Sequence, residues 1–416
     1  MELKRVVVTG MGALTPLGNS VEDYWNGLIN GVPGAAPITL FDASKFRTRF
    51  ACEVKNFEPT NFLDKKEARK IDRFAQFALV ASDQAMADAG LTKENINPDR
   101  IGVVLGSGIG GLITFQQEVM EFAKGDGTPR FNPFFIPKMI LDISAGQVSM
   151  RHNLRGPNYA VTSACASSTN AMIDALHLIR LGKADIMVTG GSEAVVSEAG
   201  VGGFNAMKAM SERNDDPATA SRPYDKDRDG FVMGEAAGIV VFEELEHAKA
   251  RGAKIYCEVV GGGASADAYH ITAPHPQGLG AKNVMLAALH DAGLNVTDVD
   301  YINTHGTSTP LGDIAETKAI LDVFGEHAYK LNISSTKSMT GHCLGAAGVI
   351  EAIACIKSVI HDMVPPTINH FTDDPELDPK LNFTFNKAQS RVVNVALSNT
   401  FGFGGHNACV IVKKYT

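Results

Sequence analysis

Short apolar runs alternate with amphipathic stretches along the whole chain. The run from Tyr159 to Thr162 predicts a buried strand, and a helical pattern begins shortly after it. A second helical pattern lies near the C-terminus. The apolar positions that define one face of each helix are Met172, Leu176 and Ile179 in the first and Val349, Ile353, Ile356 and Ile360 in the second. This alternation is typical of an α/β protein.

The same order of elements occurs twice along the chain. Residues 87–91 end a helical pattern before the strand 101–108, and residues 290–294 do the same before 299–306. Three further pairs of segments correspond in the same order: those around Cys165 and His342, 184–191 and 392–399, and 236–242 and 407–412. We therefore predict two duplicated βαβαβαββ halves, residues 1–250 and 251–416, with a boundary near Glu244 to Gly252.

Composition narrows the function classes. The 416 residues exceed one ordinary core, and 44% hydrophobic and 20% charged residues describe a compact globular protein. We expect the N-terminal residues to enter a strand directly, with no signal peptide, and we expect no uninterrupted apolar stretch of membrane-spanning length. The net charge of −8 argues against nucleic-acid binding. Six cysteines without close paired spacing suit reduced thiols in a cytoplasm.

Cys165 lies where the predicted strand 159–162 turns into a helix. Unpaired N–H groups and the positive end of the helix dipole stabilise a thiolate at such a position. The alternative is a small buried thiol in a packed turn.

Two histidines change this picture. His305 follows an apolar strand and His342 precedes a helix, each within a turn rich in Gly, Ser and Thr. Together with Cys165 they favour a catalytic cysteine with two imidazoles. The same three side chains are legitimate zinc ligands, but none has a neighbouring ligand at metal spacing, so we expect no metal.

Two other motifs imitate ligand sites. The glycine run 106–111 follows a strand, but crowding of the backbone explains it better than a phosphate cradle. Residues 225–230 imitate the start of a calcium loop, yet Ala236 stands where the bidentate glutamate should be. We interpret that segment as a structural cluster of charges and turns.

Four runs together resemble the elongating β-ketoacyl-acyl-carrier-protein synthases, most closely the bacterial type II enzymes of fatty-acid synthesis. These runs are Ser163-Ala-Cys165, His305-Gly-Thr-Ser-Thr309, Lys337-Ser-Met-Thr-Gly-His342 and Asn399-Thr-Phe-Gly-Phe-Gly-Gly405. The resemblance extends from Val6 to Val412. It implies a thiolase-like fold, a five-layered αβαβα arrangement of two duplicated halves, and a homodimer. It also implies decarboxylative condensation of a cysteine-bound acyl group with malonyl-acyl carrier protein.

The resemblance assigns roles to the site residues. Cys165 would carry the acyl chain, with the amides of Cys165 and Phe401 as the oxyanion hole. His305 and His342, neutral and donating, would stabilise the enolate left by decarboxylation, which needs no base. Lys337 would organise this part of the site; the alternative is a solvated surface lysine.

Further roles follow from the same resemblance. Thr307 and Thr309 would bind the phosphopantetheine arm, which arrives on the carrier protein, so no resident cofactor is expected. Phe401 would gate the acyl tunnel. The two acyl-pocket residues would be Ile109 and Phe204, although apolar side chains are ordinarily core. The residues that would meet the acidic carrier protein are Lys66, Arg69, Lys70 and Lys208, and a solvated helix face is the alternative there.

Several related classes stay open. The type I elongating synthases keep both histidines, and a polyketide ketosynthase has the same fold. A non-enzymatic chain-length-factor-like partner lacks the nucleophile, so Cys165 argues against it. A zinc-binding module is the other alternative outside the synthases.

Overall fold

The computed structural model describes residues 3–92 and 96–416. The strands are Val6–Leu14 (β1), Ala36–Pro37 (β2), Phe50–Ala51 (β3), Ile101–Gly106 (β4), Asn158–Val161 (β5), Ile186–Glu193 (β6), Ala236–Glu244 (β7), Cys257–Ala266 (β8), Tyr301–Asn303 (β9), Asn332–Ser334 (β10), Met363–Val364 (β11), Gln389–Ser390 (β12), Val395–Gly402 (β13) and His406–Lys413 (β14). The α-helices are Val21–Ile29 (α1), Lys65–Ala68 (α2), Arg73–Asp88 (α3), Leu112–Lys124 (α4), Phe135–Met139 (α5), Ile143–His152 (α6), Ser167–Arg180 (α7), Glu198–Ala206 (α8), Leu245–Ala250 (α9), Leu279–Ala292 (α10), Pro310–Phe324 (α11), Lys337–Thr340 (α12) and Ala347–His361 (α13).

Ten strands form two five-stranded sheets that share one short pairing. Their orders are β5-β4-β6-β7-β1 and β10-β9-β13-β14-β8. If the five strands of each sheet are numbered along the chain, their order across the sheet is 3-2-4-5-1 in both. Strands 3, 2 and 4 run parallel to one another, and the pairings 4-5 and 5-1 are antiparallel. The sheets join where Val6–Val8 of β1 pairs with Cys257–Val259 of β8. This repeated order is what a duplicated chain produces.

The helices form three layers around the two sheets. Helices α7 and α13 contact each other between the sheets, α7 on β4 and β6 and α13 on β9 and β13. Helices α3 and α6 cover the outer face of the first sheet, and α10 packs on the outer face of the second beside α11. The predicted five-layered αβαβα arrangement of the thiolase-like fold is therefore confirmed.

Helix α13 is more deeply buried than its sequence pattern suggests. Every residue from Ala347 to Val359 is buried, including Glu351 and Lys357, because the helix has a sheet on each side. The helical segment Leu344–His361 is long and apolar enough to cross a membrane by length and composition, although Glu351 and Lys357 interrupt its apolar run. Of that segment 89% is buried inside the protein, as befits the central helix of a layered core.

The strand before the cysteine differs from the prediction. It covers Asn158–Val161 and is half-exposed, with Tyr159 38% accessible. The reason is its position: β5 is the edge strand of the first sheet and pairs with β4 alone. An edge strand keeps one row of backbone groups unpaired.

The two halves differ in the connection between their last two strands. Strands β13 and β14 form a hairpin, whereas a long excursion containing α8 separates β6 from β7. Because β1 pairs with both β7 and β8, and one hydrophobic cluster contains residues of both halves, the division at 250/251 stays a prediction.

The glycine run 106–111 and the residues 225–230 that imitate a calcium loop both have structural roles. A side chain on Gly106 would come within 2.5 Å of the backbone of Ser167 and Ser168, so the glycine run permits close packing on α7. The Asp225 carboxylate accepts from the backbone amides of Phe371 and Thr372, which ties its turn to a distant loop.

Candidate active site

Cys165 lies in a tight turn between β5 and α7. Ala164 adopts a positive φ of 51°, an uncommon conformation for a residue with a side chain, which is found more often at functional turns. Asn170 on the first turn of α7 donates to Ser163 Oγ at 2.6 Å and holds the turn. The cysteine is buried, with 8% of its surface accessible.

Burial governs the protonation of this thiol. It raises the pKa of Cys165 to about 12, while the charge of Lys337 and the backbone N–H groups of Phe403 and Cys165 act in the opposite direction. The expectation of a thiolate favoured by the helix N-terminus is therefore opposed by burial, and the resting group is a thiol.

The second amide near the sulfur belongs to Phe403, which corrects the assignment to Phe401. Phe401 pairs with Asn407 within the β13–β14 ladder, which ends at Gly402 and His406. The chain then turns back toward the nucleophile. A side chain on Gly402 would lie 2.6 Å from the Ser163 carbonyl, so only glycine allows this approach.

Both histidines lie beside the cysteine. His342 Nε2 is 3.0 Å from Cys165 Sγ, and the rings of His305 and His342 are 5.2 Å apart at 88°. The His342 backbone is fixed by Val232 and Gly234 of the excursion, through bonds of 2.7 and 2.9 Å. One half of the chain thus supplies the candidate nucleophile and the other supplies two imidazoles.

Both imidazoles are neutral. Burial first, and the charge of Lys337 second, hold the pKa of His305 and of His342 well below the usual range. The Nδ1 atoms of both rings are buried without a hydrogen-bond partner. A lone pair is less costly to bury there than an N–H group, so the tautomers with the proton on Nε2 are favoured.

Lys337 is a buried residue, not a solvated one. Only 1% of its side chain is accessible, and its Nζ pairs with the equally buried Glu351 on α13. Burial raises the pKa of Glu351 to about 7, against the effect of Lys337. The charge of the Lys337 ammonium group in turn lowers the pKa of both histidines.

A cavity of about 470 Å³ opens onto the cysteine and both histidines. The predicted residues that line it are Cys165, Phe204, Lys208, His305, Thr307, Thr309, His342 and Phe401. The hydroxyls of Thr307 and Thr309 lie 3.0 Å apart on its wall. Ile109 lies outside this lining, in the apolar cluster that contains Cys165 and Phe204.

The predicted basic surface is only partly helical. Helix α2 ends at Ala68, so Arg69 is its C-cap and Lys70 lies beyond it. The spacing of the three basic residues places them on one face only in a continuous helix, and the helix does not continue through them. Lys66, Arg69 and Lys70 are all exposed, and Lys70 Nζ lies 5.3 Å from the centre of the Phe134 ring. Lys208 is exposed at the cavity mouth.

Several residues near the site were missed from the sequence. The Glu316 carboxylate on α11 accepts the His305 and Gly306 amides at 2.9 and 2.8 Å and fixes the histidine turn. The Phe231 ring stands edge-on to His342 at 5.5 Å. Neither residue belongs to a recognisable motif, whereas Phe403 lies in the glycine-rich run that the sequence did single out.

Possible metal ligands do not converge in the part of the chain that the structure describes. Among residues 3–92 and 96–416, no group of three His, Cys, Asp or Glu side chains is arranged to hold an ion.

Family matches cover most of the chain. Residues 3–248 match "Beta-ketoacyl synthase, N-terminal domain" and residues 256–371 match "Beta-ketoacyl synthase, C-terminal domain". The chain belongs to the β-ketoacyl synthase family. The family and the acyltransferase class predicted from the sequence are thereby confirmed.

Named relatives match over the full length. A protein of Synechocystis sp. named 3-oxoacyl-[acyl-carrier-protein] synthase 2 is 51% identical over 416 residues, 100% of this chain and 99% of the relative. A Staphylococcus aureus protein of the same name is 50% identical, covering 99% of each chain.

Solved structures agree. A β-ketoacyl synthase from Burkholderia phymatum superposes with a TM-score of 0.92 at 36% identity, over 99% of this chain and 100% of that one. A type II polyketide ketosynthase in complex with its acyl-carrier protein superposes with a TM-score of 0.90 at 33% identity, over 100% of both chains.

Proposed function

We propose that this synthase elongates fatty acyl groups by decarboxylative condensation with malonyl-acyl carrier protein. The observation that carries the proposal is the 3.0 Å contact between Cys165 Sγ and His342 Nε2 in a cavity that His305 also lines. A nucleophile and two neutral donors at one point match a reaction that first stores an acyl group and then stabilises an enolate.

The first half-reaction is an exchange of thioesters. The Cys165 sulfur attacks the acyl carbonyl, the amides of Cys165 and Phe403 receive the oxyanion, and the carrier-protein thiol leaves with the cysteine proton. Burial keeps this thiol protonated until the substrate arrives, because it raises the pKa of Cys165 to about 12.

The second half-reaction begins with decarboxylation. In the acyl-enzyme the sulfur carries no proton, so His342 and His305 can both donate from Nε2 to the malonyl thioester oxygen. The bond to CO2 breaks, and its electron pair forms the enolate. The enolate carbon then attacks the acyl carbonyl, the bond to sulfur breaks, and 3-oxoacyl-carrier protein is released, after which the Cys165 thiolate takes a proton from water. Lys337 supports this step by keeping both rings neutral.

The acyl chain and the pantetheine arm need different surfaces. Thr307 and Thr309 offer hydroxyls to the polar arm, whereas Ile109 and Phe204 belong to the apolar cluster behind Cys165. Phe401 would gate the chain's path, and its ring lies 5.5 Å from His305. In this proposal the arm arrives on the carrier protein, and the enzyme needs neither a resident cofactor nor a metal.

The type II fatty-acid assignment is favoured over the alternatives. Relatives of about 50% identity carry the name 3-oxoacyl-[acyl-carrier-protein] synthase 2, whereas the polyketide ketosynthase in complex with its carrier protein is 33% identical. Cys165 is present and next to His342, which disfavours a non-catalytic chain-length-factor-like role.

A second copy of the chain would cover the exposed face next to β5. The edge strand offers unpaired backbone groups, and large apolar side chains lie exposed on neighbouring segments. These are Phe115, Val119, Met120, Phe122, Phe131, Phe134, Ile136, Ile140, Met150 and Tyr159. We therefore propose a homodimer, which sedimentation velocity tests directly.

The remaining proposals concern the partner and the compartment. Lys66, Arg69, Lys70 and Lys208 would attract an acidic carrier protein although the chain carries a net charge of −8. All six cysteines are free thiols in buried positions, which suits a reducing cytoplasm.

Intact-mass analysis tests the central proposal. The protein is mixed with acyl-carrier proteins of several chain lengths, and we expect an acyl adduct that disappears in Cys165→Ala. Addition of malonyl-carrier protein should discharge the adduct as a 3-oxoacyl product. An adduct that persists in Cys165→Ala would place the nucleophile elsewhere.

A further inference from the structure

A buried carboxylate beside the site has no part in the mechanism above. Glu193 is the last residue of β6 and is fully buried. Its carboxylate accepts from one hydroxyl and four backbone amides, all of them uncharged donors. These are Ser107 Oγ at 3.0 Å, Ile109 N at 3.1 Å and Gly110 N at 3.0 Å on Oε1, and Gly108 N at 2.7 Å and Gly345 N at 3.1 Å on Oε2, with Ile109 N also 3.3 Å from Oε2.

The two oxygens do different work. Oε1 binds donors within residues 107–110, the loop that carries the proposed pocket residue Ile109. Oε2 bridges this loop to Gly345, on the turn that begins at His342. One side chain thus joins a loop of the first half of the chain to a turn of the second.

The loop and the turn are in direct contact around this carboxylate. A side chain on Gly345 would come 2.3 Å from Gly108 N and 2.6 Å from Glu193 Oε2. A side chain on Gly108 would lie 3.1 Å from the carbonyl of Ala164, which precedes Cys165. The pocket loop, the nucleophile turn and the histidine turn therefore meet within van der Waals distance.

We propose that Glu193 is a positioning residue that locks the pocket loop 107–110 to the histidine turn 342–345 and so holds His342 against Cys165. The proposal rests on the condensing function proposed above. Its negative charge also reaches the nucleophile, since Glu193 is one of the groups that raise the pKa of Cys165, after burial.

Glu193→Gln is the informative variant because it keeps the shape and replaces one acceptor oxygen by an N–H donor. If the glutamine keeps its oxygen at the place of Oε1, it retains the three donors there. Its amide nitrogen then cannot accept the hydrogen bonds that Gly108 N and Gly345 N donate to Oε2. We expect decarboxylation of malonyl-carrier protein, measured in a Cys165→Ala background, to fall about tenfold or more. Acyl transfer to Cys165 should fall much less. Loss of the charge should also raise Cys165 alkylation by iodoacetamide at pH 8 about threefold or more.

Two variants separate positioning from general destabilisation. Asp72→Asn removes another buried, hydrogen-bonded carboxylate, which accepts from Thr114, and should leave both half-reactions and the alkylation rate unchanged. Ser107→Ala removes a single donor of Oε1 and should slow acyl transfer about twofold with normal decarboxylation. It also tests the proposal if Glu193→Gln does not fold.

The outcomes distinguish failure of the positioning role from failure of the condensing function on which it rests. Wild-type protein without malonyl decarboxylation would overturn the condensing function, whereas the alkylation assay would still test the effect of the Glu193 charge. Equal losses in both half-reactions of Glu193→Gln with an unchanged alkylation rate would overturn the positioning role. So would a Ser107→Ala variant that is indistinguishable from wild type in acyl transfer.

Discussion

The N-terminal turns of the two central helices occupy equivalent places in the two halves but carry different chemistry. Each helix follows the third strand of its sheet, β5 before α7 and β10 before α13. Each turn contains a residue with positive φ, Ala164 at 51° and Leu344 at 48°. In the first turn the reactive residue follows that position, and in the second His342 precedes it.

In the proposed mechanism, this difference lets one duplicated unit supply the nucleophile in one half and a hydrogen-bond donor in the other. Placing Cys165 just before α7 leaves its sulfur beside its own backbone N–H and that of Phe403, which lower the pKa of the thiol against the effect of burial. Placing His342 further ahead of α13 leaves its ring free to reach the sulfur at 3.0 Å. Substitutions at each turn can therefore test the two sides of this comparison separately.

Replacing the proposed nucleophile should separate acyl transfer from decarboxylation completely. Cys165→Ala should abolish acyl transfer, because no other described thiol borders the cavity. Malonyl decarboxylation should survive, since both imidazoles remain. Radiolabel transfer and CO2 release measure the two steps. Continued condensation by the variant would remove Cys165 from the mechanism.

Replacing a histidine should have the opposite effect. His342→Ala should still accept an acyl group on Cys165 but lose about 10²–10³-fold in decarboxylation, because one donor to developing negative charge is gone. His305→Ala should behave similarly. Radiolabel transfer and CO2 release again measure the two steps. A variant that decarboxylates at the wild-type rate would exclude that histidine from enolate stabilisation.

Reversing the basic surface acts on the partner and not on the chemistry. Changing Lys66, Arg69 and Lys70 to Glu should lower kcat/KM for carrier-protein substrates about tenfold or more and weaken its dependence on salt. Activity on pantetheine thioesters serves as the control. Parallel losses on both substrate types would indicate misfolding or a misplaced surface.

Removing the buried ammonium group should change the pH profile. The charge of Lys337 lowers the pKa of both histidines, so Lys337→Met should raise it, and the rings should become protonated at a higher pH. Decarboxylation should then fall on acidification, about threefold below wild type at pH 5.5 when both are normalised at pH 8. Lys357→Met on α13, where Lys357 pairs with Glu22, is the control. Parallel pH profiles would contradict this role.

The aromatic residues at the end of β13 and in the turn after it should give the smallest effects. Phe401→Ala should slow condensation about twofold and blur the order of acyl and malonyl binding, if the ring gates the chain's path. Phe403→Ala is the matched variant, because its ring also lines the cavity while its amide stays at the sulfur. Product-inhibition kinetics measure the binding order. Unchanged kinetics in Phe401→Ala would reduce that side chain to packing.

Much of the architecture could be predicted from local pattern. The periodicity that places Met172, Leu176 and Ile179 on one face corresponds to buried positions of α7, and the repeated order of segments corresponds to the repeated strand order. Cys165, His305 and His342 could be found because strand and helix ends are signalled by nearby residues. Glu193 and Glu316 could not, since their donors lie on segments distant in sequence.

The sequence by itself determined the α/β repeat and the candidate reactive side chains, because these depend on residue type and short-range spacing, and its motifs as a set resemble those of one family. Tertiary structure decided the protonation of these side chains and which backbone amides lie beside them. Burial between two sheets sets the pKa of Cys165 and the neutrality of the histidines, and the end of a hairpin ladder brings the Phe403 amide, not that of Phe401, to the sulfur. Burial and long-range contact depend on the whole packed chain, so no local pattern contains them.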